Sequence, residues 1–322
     1  MSKCSRQHLQ YFYNASAYGL AGEIERPMRH SISAQAATTL AGSGGRGFER
    51  IKNFSVSPFV SFDAAYSEVG GSFDDCHNQY TTFAYSVIEG LNIAGMVTAD
   101  RVVARMAVYS PTVPDIDDCQ EASAKPLDKT VKTVETVKTV ETEAAADQEH
   151  TFDITGSYFE NLRIAGYKID VQLATHALHQ YQKYNDLSSA MENGADELQP
   201  WGKLDDEQIN KLEGLADHYH ALTGFGSRAR QWKNNKKHRC MGGMYWCSAA
   251  GHYNLNQKFP ETELHGFGGI ICIPKFGVVR LAEVVIHKDR RQLHMLRVDM
   301  CSTSNGNIVG GGAGGGGSMP PP

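Results

Sequence analysis

The residues best able to hold a metal or attack a carbonyl cluster late in the chain: His238-Arg239-Cys240, then Cys247, then His252. Zinc requires three or four S or N donors converging as a tetrahedron, with cysteine as thiolate. The run Cys240-x6-Cys247-x4-His252 lacks the tight Cys-x2-Cys knuckle that marks such sites. Met241, Tyr245 and Trp246 beside it fit a buried strand or turn where cysteine is a small apolar residue. His238, Cys240, Cys247 and His252 therefore stand as metal candidates, with packed cysteines the plainer reading.

A cysteine nucleophile needs a thiolate beside a base. Cys76-His77, and Cys247 with His252, are the local pairings of that kind. Serine catalysis has no Gly-x-Ser-x-Gly elbow, and Gly156-Ser157-Tyr158 lies in a strand context. Paired glycosidase-type carboxylates come from distant positions and leave no local signature. Gly42-Ser43-Gly44-Gly45-Arg46-Gly47 lacks the Lys-Ser/Thr ending of a phosphate loop and the strand-to-helix setting of a dinucleotide loop, so it reads as a hairpin or mobile loop. No motif implies a cofactor.

Arg228, Arg230, Lys233, Lys236, Lys237 and Arg239, around Trp232, form the one basic run. A local patch of this kind can grip phosphates or an acidic partner. It can equally be solvated surface, or pair with Asp205, Asp206, Glu207 and Glu213 just upstream.

Any such groups must be held by a β-rich body. Glu89-Gly90-Leu91-Asn92-Ile93-Ala94-Gly95 and Glu160-Asn161-Leu162-Arg163-Ile164-Ala165-Gly166 carry Glu, Leu, Ile, Ala and Gly in the same register. Leu and Ile two residues apart share one face of a strand, and the following Gly permits a tight turn or bulge. The echo reads as one β-unit used twice. Residues 1–110 form the first part of this body, with strand-like runs such as Ser55 to Phe62 and Tyr80 to Val87 between turn signals. Residues 111–149 repeat Lys-Thr-Val-Glu-Thr-Val with few large apolar groups and read as a low-complexity flexible loop. Residues 150–170 resume the body. Residues 171–265 read as a helical insertion and basic loop, with Ile209, Leu212, Ala216, Tyr219 and Leu222 on one helix face and Asp205 or Asp206 as cap. Residues 266–302 read as C-terminal β hairpins, and 303–322 as a flexible Gly/Pro-rich tail. The fold class expected is mainly β (α+β): an antiparallel β body, a sandwich or short solenoid-like stack, with a helical insertion.

The whole chain sets bounds on this reading. Its 322 residues carry 31 Lys plus Arg against 36 Asp plus Glu, a formal charge of −5, which does not fit a dedicated nucleic-acid binder. No apolar h-region follows the N-terminal charges, and no window reaches the ~18 apolar residues of a membrane helix. Seven cysteines at irregular spacing suit reduced thiols. The compartment expected is the cytoplasm, with signal-independent export left open.

The order of blocks resembles that of a group of uncharacterised bacterial β-rich proteins. Ala17-Tyr18-Gly19, Leu91 to Asp100, Tyr158 to Gly166, Pro274 to Gly277 and Arg290 to Val298 stand where that group has its shared blocks, ahead of a Gly-rich, Pro-terminated tail. More loosely, Ala17-Tyr18-Gly19, Leu91 to Ala99 and Phe159 to Gly166 are similar to the choice-of-anchor P bacterial surface proteins. That resemblance implies a β-rich architecture in proteins that are secreted and not known as enzymes. The chain departs from them in lacking a signal sequence and in its helical insertion. The leading function expected is a non-enzymatic structural or interaction protein, acting by self-association or by docking another protein through the β body. One alternative is an enzyme, such as a hydrolase, with a site between the β body and the helical insertion. The other is an anion-binding module through residues 228–239.

Overall fold

Alternation of apolar and polar residues drives most of the chain into strands. The computed structural model describes residues 11–27, 29–112, 149–181, 183–193, 204–216, 222, 225–234, 244–253, 264–287, 290–301 and 305–318. The first strands are β1 (Phe12–Ile24), β2 (His30–Gln35), β3 (Thr38–Thr39), β4 (Gly45–Val56), β5 (Val60–Asp74), β6 (Gln79–Ile93) and β7 (Val97–Pro111). Short strands follow: β8 (Thr151–Asp153), β9 (Tyr158–Glu160), β10 (Arg163–Ile164), β11 (Tyr167–Lys168) and β12 (Val171–Leu173). Next come helices α1 (Thr175–Gln180), α2 (Tyr184–Asn193), α3 (Asp206–Ala216) and α4 (Phe225–Asn234). The chain closes with β13 (Met244–Ser248), β14 (Ala250–Tyr253), β15 (His265–Phe267), β16 (Ile270–Ile273), β17 (Gly277–His287), β18 (Arg290–Cys301) and β19 (Asn305–Ser318).

Among the described residues these strands make two large antiparallel sheets, and β12 pairs with β14 as a separate two-stranded ribbon. Sheet I runs β15-β16-β17-β18-β19-β1-β2, with β13 beside β17 and β3 beside β1. Sheet II runs β11-β10-β7-β6-β5-β4, with β8 and β9 beside β7. One apolar core lies between them, with Leu20, Leu281, Leu296 and Ile308 from sheet I meeting Ile88, Leu91, Val102 and Met106 from sheet II. Each such side chain contributes about 1.5–3 kcal/mol when fully buried. The body is therefore a sandwich rather than a solenoid-like stack.

Both sheets are creased. In sheet II, Asn53, Asp63, Gly90 and Asp100 are each skipped by the pairing ladder, although the register on either side is unchanged. Asn53 and Gly90 take left-handed φ values of 55° and 66°. In sheet I the same happens at Gly19, Ala282, Met295 and Gly311, with φ of 49° at Ala282 and 66° at Gly311. Across each crease the inward set changes parity: Ile88 and Leu91 on β6 are both buried, although three positions apart. The sequence echo is this device written twice. Gly90 and Asn161 both have positive φ, Leu91 and Leu162 are both buried, and the turns Ala94-Gly95 and Ala165-Gly166 have φ of 50°, 69°, 52° and 84°. Two successive positive φ values are what a type I′ turn demands. The two turns lie side by side, with Ala165 N–H donating to Met96 O at 2.7 Å.

The glycine-rich end corrects an expectation. The composition of residues 303–322 predicts a flexible tail, yet Asn305–Ser318 is β19, the strand between β1 and β18. A central strand is held by ladders on both sides, which need backbone rather than side chains. Small residues there also suit close packing: a Cβ on Gly312 would run into the Tyr18 ring.

The insertion is only partly helical. Residues 171–265 also supply β12, β13 and β14, and β13 joins sheet I beside β17 because Tyr245-Trp246-Cys247 is an apolar run suited to a buried strand. Helix α3 starts in a reciprocal cap: Gln208 N–H donates to Asp205 Oδ1 at 2.7 Å and Asp205 N–H to Gln208 Oε1 at 3.0 Å. Ile209, Leu212 and Ala229 of α3 and α4 form a second core with Trp246, Phe267, Ile270 and Val278, on the outer face of sheet I. Leu178 and Leu187 of α1 and α2 join the main core instead. Among the described residues, no helix is long and apolar enough to cross a membrane. Residues 113–148, most of the 111–149 stretch read as a flexible loop, lie outside the described residues.

Candidate functional site

On β4 to β7 several inner positions are small, while the rings lie on the outer face. Ala65, Ser67, Ala84, Ser86 and Ala104 are buried against sheet I. The opposite face of sheet II carries rings and charges in transverse rows. One row runs Arg46, Gly70, Phe83, Ala107 and the next Phe48, Glu68, Tyr85, Arg105. Beyond them lie Arg50, Tyr66, Val87, Val103, Tyr158 and then Lys52, Ala64, Glu89, Arg101, Glu160. Phe48 and Tyr158 are 61 % and 41 % exposed, unusual for large rings on a sheet.

The rings are fixed by their neighbours. Phe83 lies across Gly70, where a Cβ would collide with it, and the Arg46 guanidinium sits 5.9 Å from its centroid. Tyr66 and Tyr85 approach at 6.2 Å between centroids. Burial, and then Tyr66, push the Tyr85 hydroxyl up to about 12, so it stays a neutral donor. Arg101 is held by Tyr158 and Glu89, and both raise its pKa. The acids of this face are engaged: Glu68 with Arg46 at 3.7 Å, Glu89 with Arg101 at 2.9 Å and Glu160 with Arg101 at 3.9 Å. Arg105 Nη1 donates to Thr155 O at 2.6 Å. Arg50 and Lys52 have no carboxylate partner among the described residues, which leaves the β4 side of the face cationic.

The groups singled out in the sequence do not converge. Cys247 is on β13, fully buried, with its Sγ donating to Val284 O at 3.5 Å. Burial pushes its thiol up to about 12, which removes the thiolate that a ligand or nucleophile needs. His252 is on β14, opposite Gln172 of β12. His238 and Cys240, with Lys236, Lys237 and Arg239, lie outside the described residues. Among the described residues, no group of three or more His, Cys, Asp or Glu is placed to hold a metal ion. Arg228, Arg230, Trp232 and Lys233 fall on α4. Arg230 makes a two-pronged pair with Glu213 at 3.0 and 2.6 Å, and Lys233 meets Asp206 at 3.0 Å. Cys76 and His77 sit at the β5–β6 hairpin tip, where His77 Nδ1 is 2.7 Å from Asp74 Oδ2.

A second polar cluster has no local sequence signal. On the outer face of sheet I, beside α3 and α4, Arg280 reaches Glu283 at 3.1 Å and Asp299 at 2.7 Å. Arg297 also reaches Asp299 at 3.3 Å, and Trp246 Nε1 donates to Glu283 at 3.1 Å. Tyr18 and His294 face each other at 6.3 Å across Gly312. Burial pushes Tyr18 up to about 12 and holds His294 below its usual value, so both are neutral near pH 7.

Comparison with curated proteins and with solved structures gives no match. A family model, Domain of unknown function (DUF8256), matches residues 11–117 and 130–287, a span taking in strands of both sheets, the four described helices and the outer face of sheet II, while β18 and β19 lie beyond it. The chain belongs to the DUF8256 family.

Proposed function

We propose that the chain is a non-enzymatic interaction protein whose sandwich docks another protein through the outer face of sheet II. The observation that carries this is the set of five rings, Phe48, Tyr66, Phe83, Tyr85 and Tyr158, held among arginines on a rigid platform. Tyrosine and arginine dominate the energetics of protein interfaces because they offer large rigid area and directional polar contacts together. The resemblance to the choice-of-anchor P surface proteins, β-rich and not known as enzymes, points the same way.

The enzyme alternative would use Tyr18 and His294, the facing pair on the outer side of sheet I. Its nearby carboxylates are already engaged by Arg280, Arg297 and Trp246, which suits a structural network better than acid–base work. The anion-binding alternative draws less support, since Arg230 and Lys233 are neutralised by α3.

The test is a photo-crosslinking side chain placed at Phe48 or Tyr158, with Arg29 on the β1–β2 connection as control. Discrete protein adducts from the first two positions and none from Arg29 are expected. Equal adducts from all three, or none from any, would overturn the proposal, as would turnover by the purified chain on a hydrolase panel.

A further inference from the structure

We infer that the free edge of β4 accepts an extended, acidic segment of a partner protein as an added strand; this rests on the docking reading above and gives its chemistry. Among the described residues β5 is the strand that pairs with β4, so a row of β4 backbone N–H and C=O groups faces away from the sheet. Such a row is a template for another strand. From Gly45 to Lys52 the ladder to β5 is unbroken, and it breaks only at Asn53. That straight run accommodates a partner strand of ordinary length.

Charge decides what can pair there. Arg46, Phe48, Arg50 and Lys52 occupy alternate positions and share the outer face. If a second copy paired β4 with β4 antiparallel about Glu49, Arg46 would stand opposite Lys52. About Phe48, Arg46 would meet Arg50; about Arg50, that residue would meet its own copy. Like charges directly opposite destabilise a pair, so each of these registers disfavours a second copy. A strand with carboxylates at alternate positions gains where a second copy loses: each acid meets Arg50, Lys52 or Arg46, and Phe48 adds apolar area between them. Cations on an edge are a common guard against aggregation, and here the guard also sorts partners by sign.

The experiment is fluorescence anisotropy of the full chain with labelled peptides of about eight residues. One peptide alternates Thr and Glu, one alternates Thr and Lys, and two copies of the first are N-methylated on alternate backbone nitrogens in the two possible registers. The Thr–Glu peptide is expected to bind, and more weakly as salt rises; the Thr–Lys peptide should not bind. N-methylation in one register should cost at least about tenfold in Kd, equivalent to about 1.4 kcal/mol. The double variant Arg50→Glu, Lys52→Glu, both exposed and checked for folding by circular dichroism, should reverse the charge preference. The inference is overturned if the Thr–Glu peptide does not bind, if binding survives both N-methylations, or if the double variant leaves affinity unchanged. If the peptides fail while Tyr158 still gives adducts, the edge inference falls and the docking proposal stands; if both fail, both fall.

Discussion

Gly312→Ala tests whether the glycine-rich end is a packed central strand. In sheet I Gly312 is paired with Tyr18 on one side and His294 on the other. The three heavy atoms nearest a Cβ built there all belong to the Tyr18 ring, and they overlap it. The ring must therefore move off the strand or the strands must separate. Overpacking of this kind costs about 1–3 kcal/mol. In a domain of this size that lowers Tm by about 2–4 °C per kcal/mol. Tyr18→Ala removes the obstacle, and in that background Gly312→Ala should become neutral or gain up to about 1 kcal/mol, since alanine loses less backbone entropy on folding than glycine. A double-mutant cycle followed by urea unfolding reads the change of sign directly. A free tail would give no effect in either background, and equal effects in both would show that Tyr18 is not the contact; either result refutes the reasoning.

Three further outcomes follow from the same geometry. Burial holds His294 below its usual value near 6.5, so the unfolded chain takes up the proton first as pH falls. Its contribution is complete above about pH 6.5 and is lost as pH drops through the folded value, and His294→Gln should flatten the fall in urea midpoint between about pH 7 and 5. Arg280→Met strips a partner from both Glu283 and Asp299 and should cost about 3 kcal/mol by chemical denaturation, the low end for breaking a buried pair, because Trp246 and Arg297 remain. Ala94→Asn places a residue that tolerates the left-handed region at φ 50° and should raise stability by about 0.5–1 kcal/mol, read as a rise in Tm.

How far the sequence reveals this protein depends on the element. The Leu-x-Ile-Ala-Gly echo is legible because turn chemistry is local: a Gly just after two residues of one strand face marks a tight turn. The Asp205 cap of α3 is legible for the same reason. The Gly310 to Gly317 run is not, because glycine composition reports missing side chains while a central strand is secured by backbone ladders. The creases hide too, since Asn53, Gly90, Ala282 and Gly311 each shift the phase of alternation within a strand. The candidate face shares the difficulty of every sheet surface: Phe48, Tyr66, the Phe83/Tyr85 pair and Tyr158 come from four separate strands and meet only through register. The available signal is local, with Ala65, Ser67, Ala84 and Ser86 on inner positions of β5 and β6 and Tyr66, Phe83 and Tyr85 on the outer ones between them.

Hydroxyl-radical footprinting of the chain, alone and in extract from its own cells, measures the central claim most directly. Docking through the outer face of sheet II predicts that oxidation of Phe48, Tyr66, Tyr85 and Tyr158 falls in extract, while Phe12 and Phe73, exposed away from that face, keep their rates. Unchanged oxidation of the four rings, or protection confined to Phe12 and Phe73, would contradict it.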